Sequence, residues 1–484
     1  MYTPSLAEAK KLLAKGNLIP VYKEINADLE TPVSAYLKVA KPPYSFLLES
    51  VEGGEQIARY SFIGTEPEST IITGENQKDG EVDPLILVEQ MLEQYHLVET
   101  EELPRFFGGA VGYIGYEAAR HFEDLPMPGN DQLELPESIF MLTKTFLVFD
   151  HVRHKIQVVS LAYVEGDLEK AYELATKKID SIVERLNEPL DPLSIPRSSG
   201  FPKGDVKSNM TPEYHKDMVL KSKEYVFEGD IIQAVVSQRF SKQTSAHPFH
   251  IYRSLRAINP SPYMYYLNLN DFQIVGASPE MLVQVENGII ATHPIAGTRP
   301  RSSNELEDLN FEKDLKSDEK EIAEHTMLLD LGRNDVGRVS KPGTVKATDI
   351  MEVERYSHVM HLVSHVEGQL ASECSNYDAF RSCFPAGTVS GAPKIRAMEI
   401  IAELENDKRG PYAGAVGYFD FSGNMDTCIT IRTLVMKNGY AHIQAGGGIV
   451  FDSNPEFEFN ETVHKAGALM KALDVAEASN EETL

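Results

Sequence analysis

Tryptophan is absent from the 484 residues, although tyrosine and phenylalanine each number 21. Chance explains that absence, or an enzyme made when tryptophan is scarce. Cysteine is rare: Cys374, Cys383 and Cys428 are too few and too scattered for a disulfide framework or a close metal-type pair. A reducing cytosol is the expected compartment. No apolar run approaches the length of a membrane span, and residues 1–15 lack the apolar core of a signal peptide. With Lys10, Lys11 and Lys15 among Leu and Ala, that start reads as an amphipathic surface helix. Positive charge is also short, with 46 Lys and Arg against 73 Asp and Glu, a net charge of −27. Such a field repels phosphate backbones and argues against nucleic acid. An anionic ligand would need a local cation, from Arg and Lys or from a bound metal.

What is present is ordinary for a globular protein, 42% hydrophobic and 25% charged, in a chain long enough to predict two large folded units. The clearest break runs from Asn187 to Met210, with Pro189, Pro192, Pro196, Ser198, Ser199, Gly200, Pro202 and Gly204. It predicts an N-terminal half (1–188), a linker (189–210) and a C-terminal unit (211–484). In the first half, strands are expected at 44–49 and 156–161. Helices are expected at 84–95, with Asp83 as N-cap, and at 168–186. Beyond the break, strands and amphipathic helices alternate without a regular βαβ rhythm, which predicts an α+β class with largely antiparallel sheets. Residues 109–113 and 414–418 both read GAVGY. Their flanks diverge, so both are read as close-packed strands needing glycine rather than as a repeat.

Four glutamates raise the question of chemistry. In the last predicted helix, opened by Pro455, Glu458, Glu461 and Lys465 share one face at about 100° per residue. Glu321 and Glu324 repeat the three-residue spacing on a helix predicted over 318–329. Two such pairs could hold one hard divalent ion such as Mg²⁺, or they are solvated surface. Upstream, 413–421 and 425–436 read as strands, with Cys428, Thr430 and Arg432 on one face and Ile429 and Ile431 on the other. The run Gly446-Gly447-Gly448 follows the strand 440–445. Either it brings backbone N–H groups close to an anion, or it is a bulge. Arg432 could pair bidentately with a carboxylate there, and Tyr412 could add a hydroxyl.

Residues 384–398 read FPAGTVSGAPKIRAM. Ser390 is the expected cap of a helix with Pro393 in its first turn and Ile395, Met398 and Ala402 as its buried stripe. The Gly387-Thr388 turn offers a hydroxyl and free N–H groups, and Gly297-Thr298 in PIAGTR offers a similar turn. His358, His361 and His365 form the histidine cluster. Zinc would require a helix there, whereas YSHVMHLVSHV is β-branched and aromatic. The readings left are a satisfied structural histidine or a neutral imidazole that takes a proton.

Together these segments resemble the chorismate-utilising enzymes, most closely the anthranilate synthase component I family. The motifs IIQAVVSQRF, NPSPYMYY, GASPE, PIAGTR, AEHTMLLDLGRND, RYSHVMHLVS, FPAGTVSGAPK, QAGGGIV and NETVHKA recur in order over 211–475, and the likeness extends more loosely into the N-terminal half. The resemblance implies an α+β fold of layered antiparallel sheets in a sandwich with helices outside, with 211–484 binding chorismate and 1–188 regulating it. It implies Glu324 and Glu461 as Mg²⁺ ligands, with Glu321 and Glu458 beside them through water, the metal gripping the ring carboxylate. Arg432 and Tyr412 would hold the enolpyruvyl carboxylate, Gly446 and Gly448 would donate N–H groups with Lys465 nearby, and Thr298 and Thr388 would line the pocket. Ammonia would attack the ring while Glu280, as general acid, helps the hydroxyl depart. His361 would then remove the ring proton as pyruvate leaves. Aminodeoxychorismate synthases usually carry Lys where this chain has Ala296, and isochorismate and salicylate synthases carry a water-activating Lys where it has Gln233. Both departures point to anthranilate.

No Gly-x-Cys-x-Gly elbow surrounds a cysteine, so ammonia is expected from a separate glutamine amidotransferase subunit. Residues 47–50 (LLES) and 259–266 resemble the family's L-tryptophan feedback site. Glu49 would take the ligand's ammonium, Ser50 its polar groups, and Asn259, Pro262, Tyr263 and Met264 the indole side, with 59–61 bordering the pocket. The alternative for these residues is ordinary core. A pseudoenzyme that only binds an amino acid and a partner would show damage at Glu324, His361, Arg432 or Glu461, and all four are intact.

Overall fold

The computed structural model describes residues 1–50, 59–98, 100, 104–190, 198, 200–356 and 359–481. Many strands carry apolar side chains on both faces, so they need cover on two sides. In Tyr44–Glu49, Phe46 joins a core with Ala110, Phe140 and Phe419, while its neighbour Leu47 joins another with Ile179, Leu469 and Leu473. Val159 and Val158, and Tyr265 and Tyr266, divide in the same way. The first core lies between two sheets. The second lies between one of them and the helices Leu168–Asn187 and Pro455–Glu481. Each fully buried Phe or Leu contributes about 1.5–3 kcal/mol.

Among the described residues, twelve strands form one sheet and ten the other, with neighbouring strands antiparallel. This is the expected α+β sandwich. No helix among the described residues is long and apolar enough to cross a membrane.

The expected division into two folded units does not describe the packing. Tyr44–Glu49 pairs with Tyr263–Leu269, placing Glu49 opposite Met264. In the other sheet Gly109–Ile114 pairs with Ala415–Asp420. Strands of the first half therefore complete both sheets of the second: each has one edge on a first-half neighbour, Tyr60–Thr65 or Ser138–Thr143, and its other edge finds its hydrogen-bonding partner in the second half. Part of the proline-rich stretch, 191–197 and 199, lies outside the described residues. The GAVGY segments are the paired strands themselves, with Gly112 opposite Gly417. A Cβ on Gly112 would lie 1.8 Å from the Ile139 carbonyl oxygen, and one on Gly417 2.1 Å from that of Asp426, so both positions require glycine.

Two local expectations are corrected. Residues 425–436 are not one face-alternating hairpin strand. Met425–Ile429 belongs to the ten-stranded sheet and Thr433–Lys437 to the twelve-stranded one, so residues 430–432 carry the chain from sheet to sheet. Arg432 makes the turn in the left-handed region, at φ 52°. Ser390 does not cap a helix. Gly391 and Ala392 pair with Ala234 and Gln233, which keeps the chain extended, and the helix is Lys394–Leu404 with Pro393 at its N-cap. Ser390 Oγ donates to Ala386 O at 2.8 Å instead. The helix buries Ala397, Met398, Ile400, Ile401 and Leu404, leaving Ile395 and Ala402 only half-buried.

Candidate active site

The strand Tyr440–Ile449 pairs with Thr433–Lys437 only as far as Ile443, whereas its pairing with Gln233–Gln243 continues to Ile449. Gly446–Gly448 therefore have a neighbouring strand on one side and an open edge on the other. The missing side chains leave room for others. A Cβ on Gly446 would lie 2.8 Å from Tyr412 Oη, one on Gly447 3.1 Å from Glu458 Oε2, and one on Gly448 2.7 Å from Gln233 Nε2. Lys465 Nζ donates to Gly446 O at 2.9 Å and pairs with Glu461 at 2.7 Å. Arg432 donates to Lys465 O at 2.7 Å. Expected residues from three separate stretches, 412–432, 446–448 and 458–465, thus meet at one sheet edge.

The second group gathers around the strand Val359–Gln369. His361 lies opposite Thr298 on one neighbouring strand and Glu354 on the other. Its Nδ1 stands 2.9 Å from Gly297 O. A carbonyl only accepts, so Nδ1 carries the proton and Nε2 the free lone pair. Thr298 Oγ1 is 3.1 Å from the same Nδ1. Burial holds the His361 pKa below its ordinary value, keeping the ring neutral near pH 7. The Tyr356 ring meets that imidazole edge-on, centroids 5.5 Å apart. Of the other two histidines, His365 lies on the same strand and His358 lies outside the described residues.

Glu280 sits between the strands Phe272–Ser278 and Met281–Glu286 and is 5% exposed. Thr388 Oγ1 donates to its Oε1 at 2.6 Å. Burial pushes the carboxyl up to about 8, against the lowering effects of that hydrogen bond and of Lys465. It is therefore an acid that keeps its proton at neutral pH.

The four expected metal ligands sit on the helices Glu319–Gly337 and Pro455–Glu481, the first capped by Asp318. Burial and then the charge on Glu321 raise the Glu324 pKa, and Glu461 adds to this from the other helix. Burial raises Glu458 as well, with Glu461 contributing. These hard oxygen donors share a field, and their kind and charge fit Mg²⁺. They are not drawn together, since among the described residues no three His, Cys, Asp or Glu side chains form a metal-holding group. Glu461 is neutralised by Lys465, and Glu321 by Arg299 at 3.0 Å.

The comparisons decide the family. The chain matches the chorismate binding enzyme family over residues 43–471. It is 49% identical to anthranilate synthase component 1 of Acetivibrio thermocellus, covering 98% of this chain and 99% of that one. It is 48% identical to anthranilate synthase component 1 of Pseudomonas aeruginosa, again over 98% and 99%. This chain belongs to the anthranilate synthase component 1 family of chorismate-binding enzymes. The structure of anthranilate synthase component I from Streptococcus pneumoniae TIGR4 superposes with a TM-score of 0.78 at 40% identity, covering 92% of this chain and 98% of that one. The Escherichia coli isochorismate synthase MenF, at 17% identity and a TM-score of 0.71 over 97% and 99%, shares the fold.

In this member of the anthranilate synthase component 1 family, most residues expected to hold tryptophan line one cavity of 840 Å³: Glu49, Ser50, Pro262, Tyr263 and Met264, with Tyr60 at its border. Asn259 lies off that wall, because it closes the helix Pro248–Ile258, its N–H donating to Leu255 O at 2.8 Å. Arg59 pairs with Asp150, and Ser61 hydrogen-bonds His151, so neither is free for a ligand. Glu49 is also committed. Arg256 donates to both its oxygens, at 3.0 and 3.1 Å, and Tyr252 Oη donates to Oε2.

Reading the sequence missed Arg256, Tyr252 and Arg299, because their partners lie far along the chain or carry no local pattern. Glu49 and Arg256 are 207 residues apart. Arg256→Ala should leave the Glu49 carboxylate buried with only Tyr252 as donor, at a cost of about 3 kcal/mol. The check is the urea midpoint, with an unchanged midpoint counting against the pair.

Proposed function

We propose that this chain, working in the cytoplasm, converts chorismate and ammonia to anthranilate and pyruvate as the large subunit of an anthranilate synthase. The observation that carries the reading is the buried Glu280 carboxyl, pushed up to about 8 and hydrogen-bonded to Thr388. A protonated acid at neutral pH suits departure of the ring hydroxyl as ammonia adds. His361 Nε2 then takes the proton from the aminated carbon, the enolpyruvyl group leaves as pyruvate and the ring becomes aromatic. The Gly297 carbonyl holds the imidazole in the tautomer this step needs. Arg432 and Tyr412 fix the enolpyruvyl carboxylate beside the N–H groups of Gly446 and Gly448. Ala296 and Gln233 supply neither an amine nucleophile nor a base for water, which favours ammonia.

When bound, Mg²⁺ supplies positive charge to the ring carboxylate in an otherwise acidic protein. Glu324 and Glu461 would hold it, with Glu321 and Glu458 behind them. Ammonia would come from a glutamine amidotransferase subunit, and L-tryptophan would inhibit from the 840 Å³ cavity.

The experiment is a chorismate assay of the purified chain, reading anthranilate fluorescence and pyruvate. Turnover is expected with ammonium salts and Mg²⁺, none with glutamine alone, and none after removal of divalent ions with EDTA. Isochorismate or aminodeoxychorismate as the product overturns the reaction, and glutamine-dependent turnover overturns the two-subunit arrangement.

A further inference from the structure

The cavity that carries the proposed amino-acid site extends from one sheet to the other. At one end stand Ser50, Tyr263 and Met264, and at the other Tyr418, Asp426 and Cys428. An amino acid bound there must place an ammonium, and an ammonium inside a protein needs a carboxylate free to receive it. Glu49 is a poor receiver, since its two oxygens already accept from Arg256 and Tyr252.

Asp426 differs in a way that matters. It lies on Met425–Ile429, opposite Gln284 on one neighbouring strand and Tyr418 on the other. Tyr263 Oη donates to its Oδ1 at 3.1 Å and Gln284 Nε2 to its Oδ2 at 2.9 Å. Both donors are neutral, so among the described residues no ion pair neutralises its charge. The nearby cation Arg105 is itself engaged with Glu286 at 3.3 Å. Burial accordingly raises the Asp426 pKa to about 6. Ser50 Oγ, on the facing wall, is buried without a hydrogen-bond partner among the described residues. The cavity thus combines aromatic and thioether walls, a carboxylate held only by neutral donors and an unsatisfied hydroxyl, which together suit an aromatic amino acid.

We propose that Asp426, and not Glu49, receives the ammonium of the amino acid bound in this cavity, its charge and not the hydroxyl of Tyr263 setting the preference for an ammonium. This assignment rests on reading the cavity as a tryptophan site. The strand that carries Asp426 also bears on catalysis, since Ile429 N donates to Glu280 O at 3.1 Å and Arg432 follows at its end.

Because the chain contains no tryptophan, binding can be followed by the ligand's own indole emission. The full chain is titrated with L-tryptophan and with indole-3-propionate, which lacks the ammonium. The wild type should prefer tryptophan by roughly 30-fold, the worth of a charge-assisted hydrogen bond. Asp426→Asn should reduce that ratio to roughly three or below, chiefly by weakening tryptophan. Tyr263→Phe keeps the ring and the Asp426 charge, so its ratio should stay at or above the wild-type value. An unchanged ratio in Asp426→Asn, or a collapsed ratio in Tyr263→Phe, overturns the assignment alone. Binding of neither ligand by the wild type overturns the tryptophan reading of the cavity and the assignment with it.

Discussion

Replacing His361 by alanine should slow anthranilate formation by about a hundred- to ten-thousand-fold, the usual contribution of a placed general base. Chorismate should still be consumed, with the aminated, unaromatised ring accumulating and little pyruvate released. The split follows from the geometry. Glu280 and Thr388, proposed to serve the first step, are bonded to each other and not to His361. The imidazole is held by Gly297 O and crossed by the Tyr356 ring. Burial keeps it neutral, so its lone pair is available without first losing a proton. Chromatography of quenched reactions separates the two species, and normal anthranilate and pyruvate release by the variant would sink the assignment.

The second large effect is expected at Glu280. A general acid must be protonated, and this carboxyl loses its proton only as pH rises through about 8. His361 must be neutral, and its lowered pKa leaves it so above the acidic range. The pH profile of kcat should therefore be bell-shaped, with its alkaline limb near 8 and its acidic limb below the ordinary histidine value. Glu280→Gln should remove the alkaline limb and lower kcat by about a hundredfold or more. Thr388→Val removes a hydrogen bond that favours the ionised form, so it should move the alkaline limb upward. An alkaline limb that persists unchanged in Glu280→Gln, at the wild-type rate, would assign it to another group.

Much of the molecule was legible in local pattern. Strand 44–49 and helix 84–95 appear close to where alternation and capping put them, and Asp83 accepts from Leu85 N as its N-cap role requires. The helix carrying Glu458, Glu461 and Lys465 opens at Pro455. The helix of Glu321 and Glu324 runs on to Gly337, past the predicted 329, because Leu328, Gly332, Asp335 and Val336 bury a continuing face. The reading failed where the environment of a residue is set by distant chain. Ser390 looks like a cap in sequence, but a two-residue pairing with Gln233 and Ala234 holds the following residues extended.

By itself the sequence determined which side chains share a face, where glycine is needed for close approach, and the motif order that names the family. Period two and period 3.6 are properties of neighbouring residues, so a single segment reveals them. Tertiary structure alone decided that the halves share both sheets, that residues 430–432 pass between them, and that Glu49 is spent on Arg256 while Asp426 takes only the neutral donors Tyr263 and Gln284. Each of these depends on which strand lies alongside and which charges are buried together. Strand pairing and desolvation act between residues hundreds of positions apart, and no local window contains both partners.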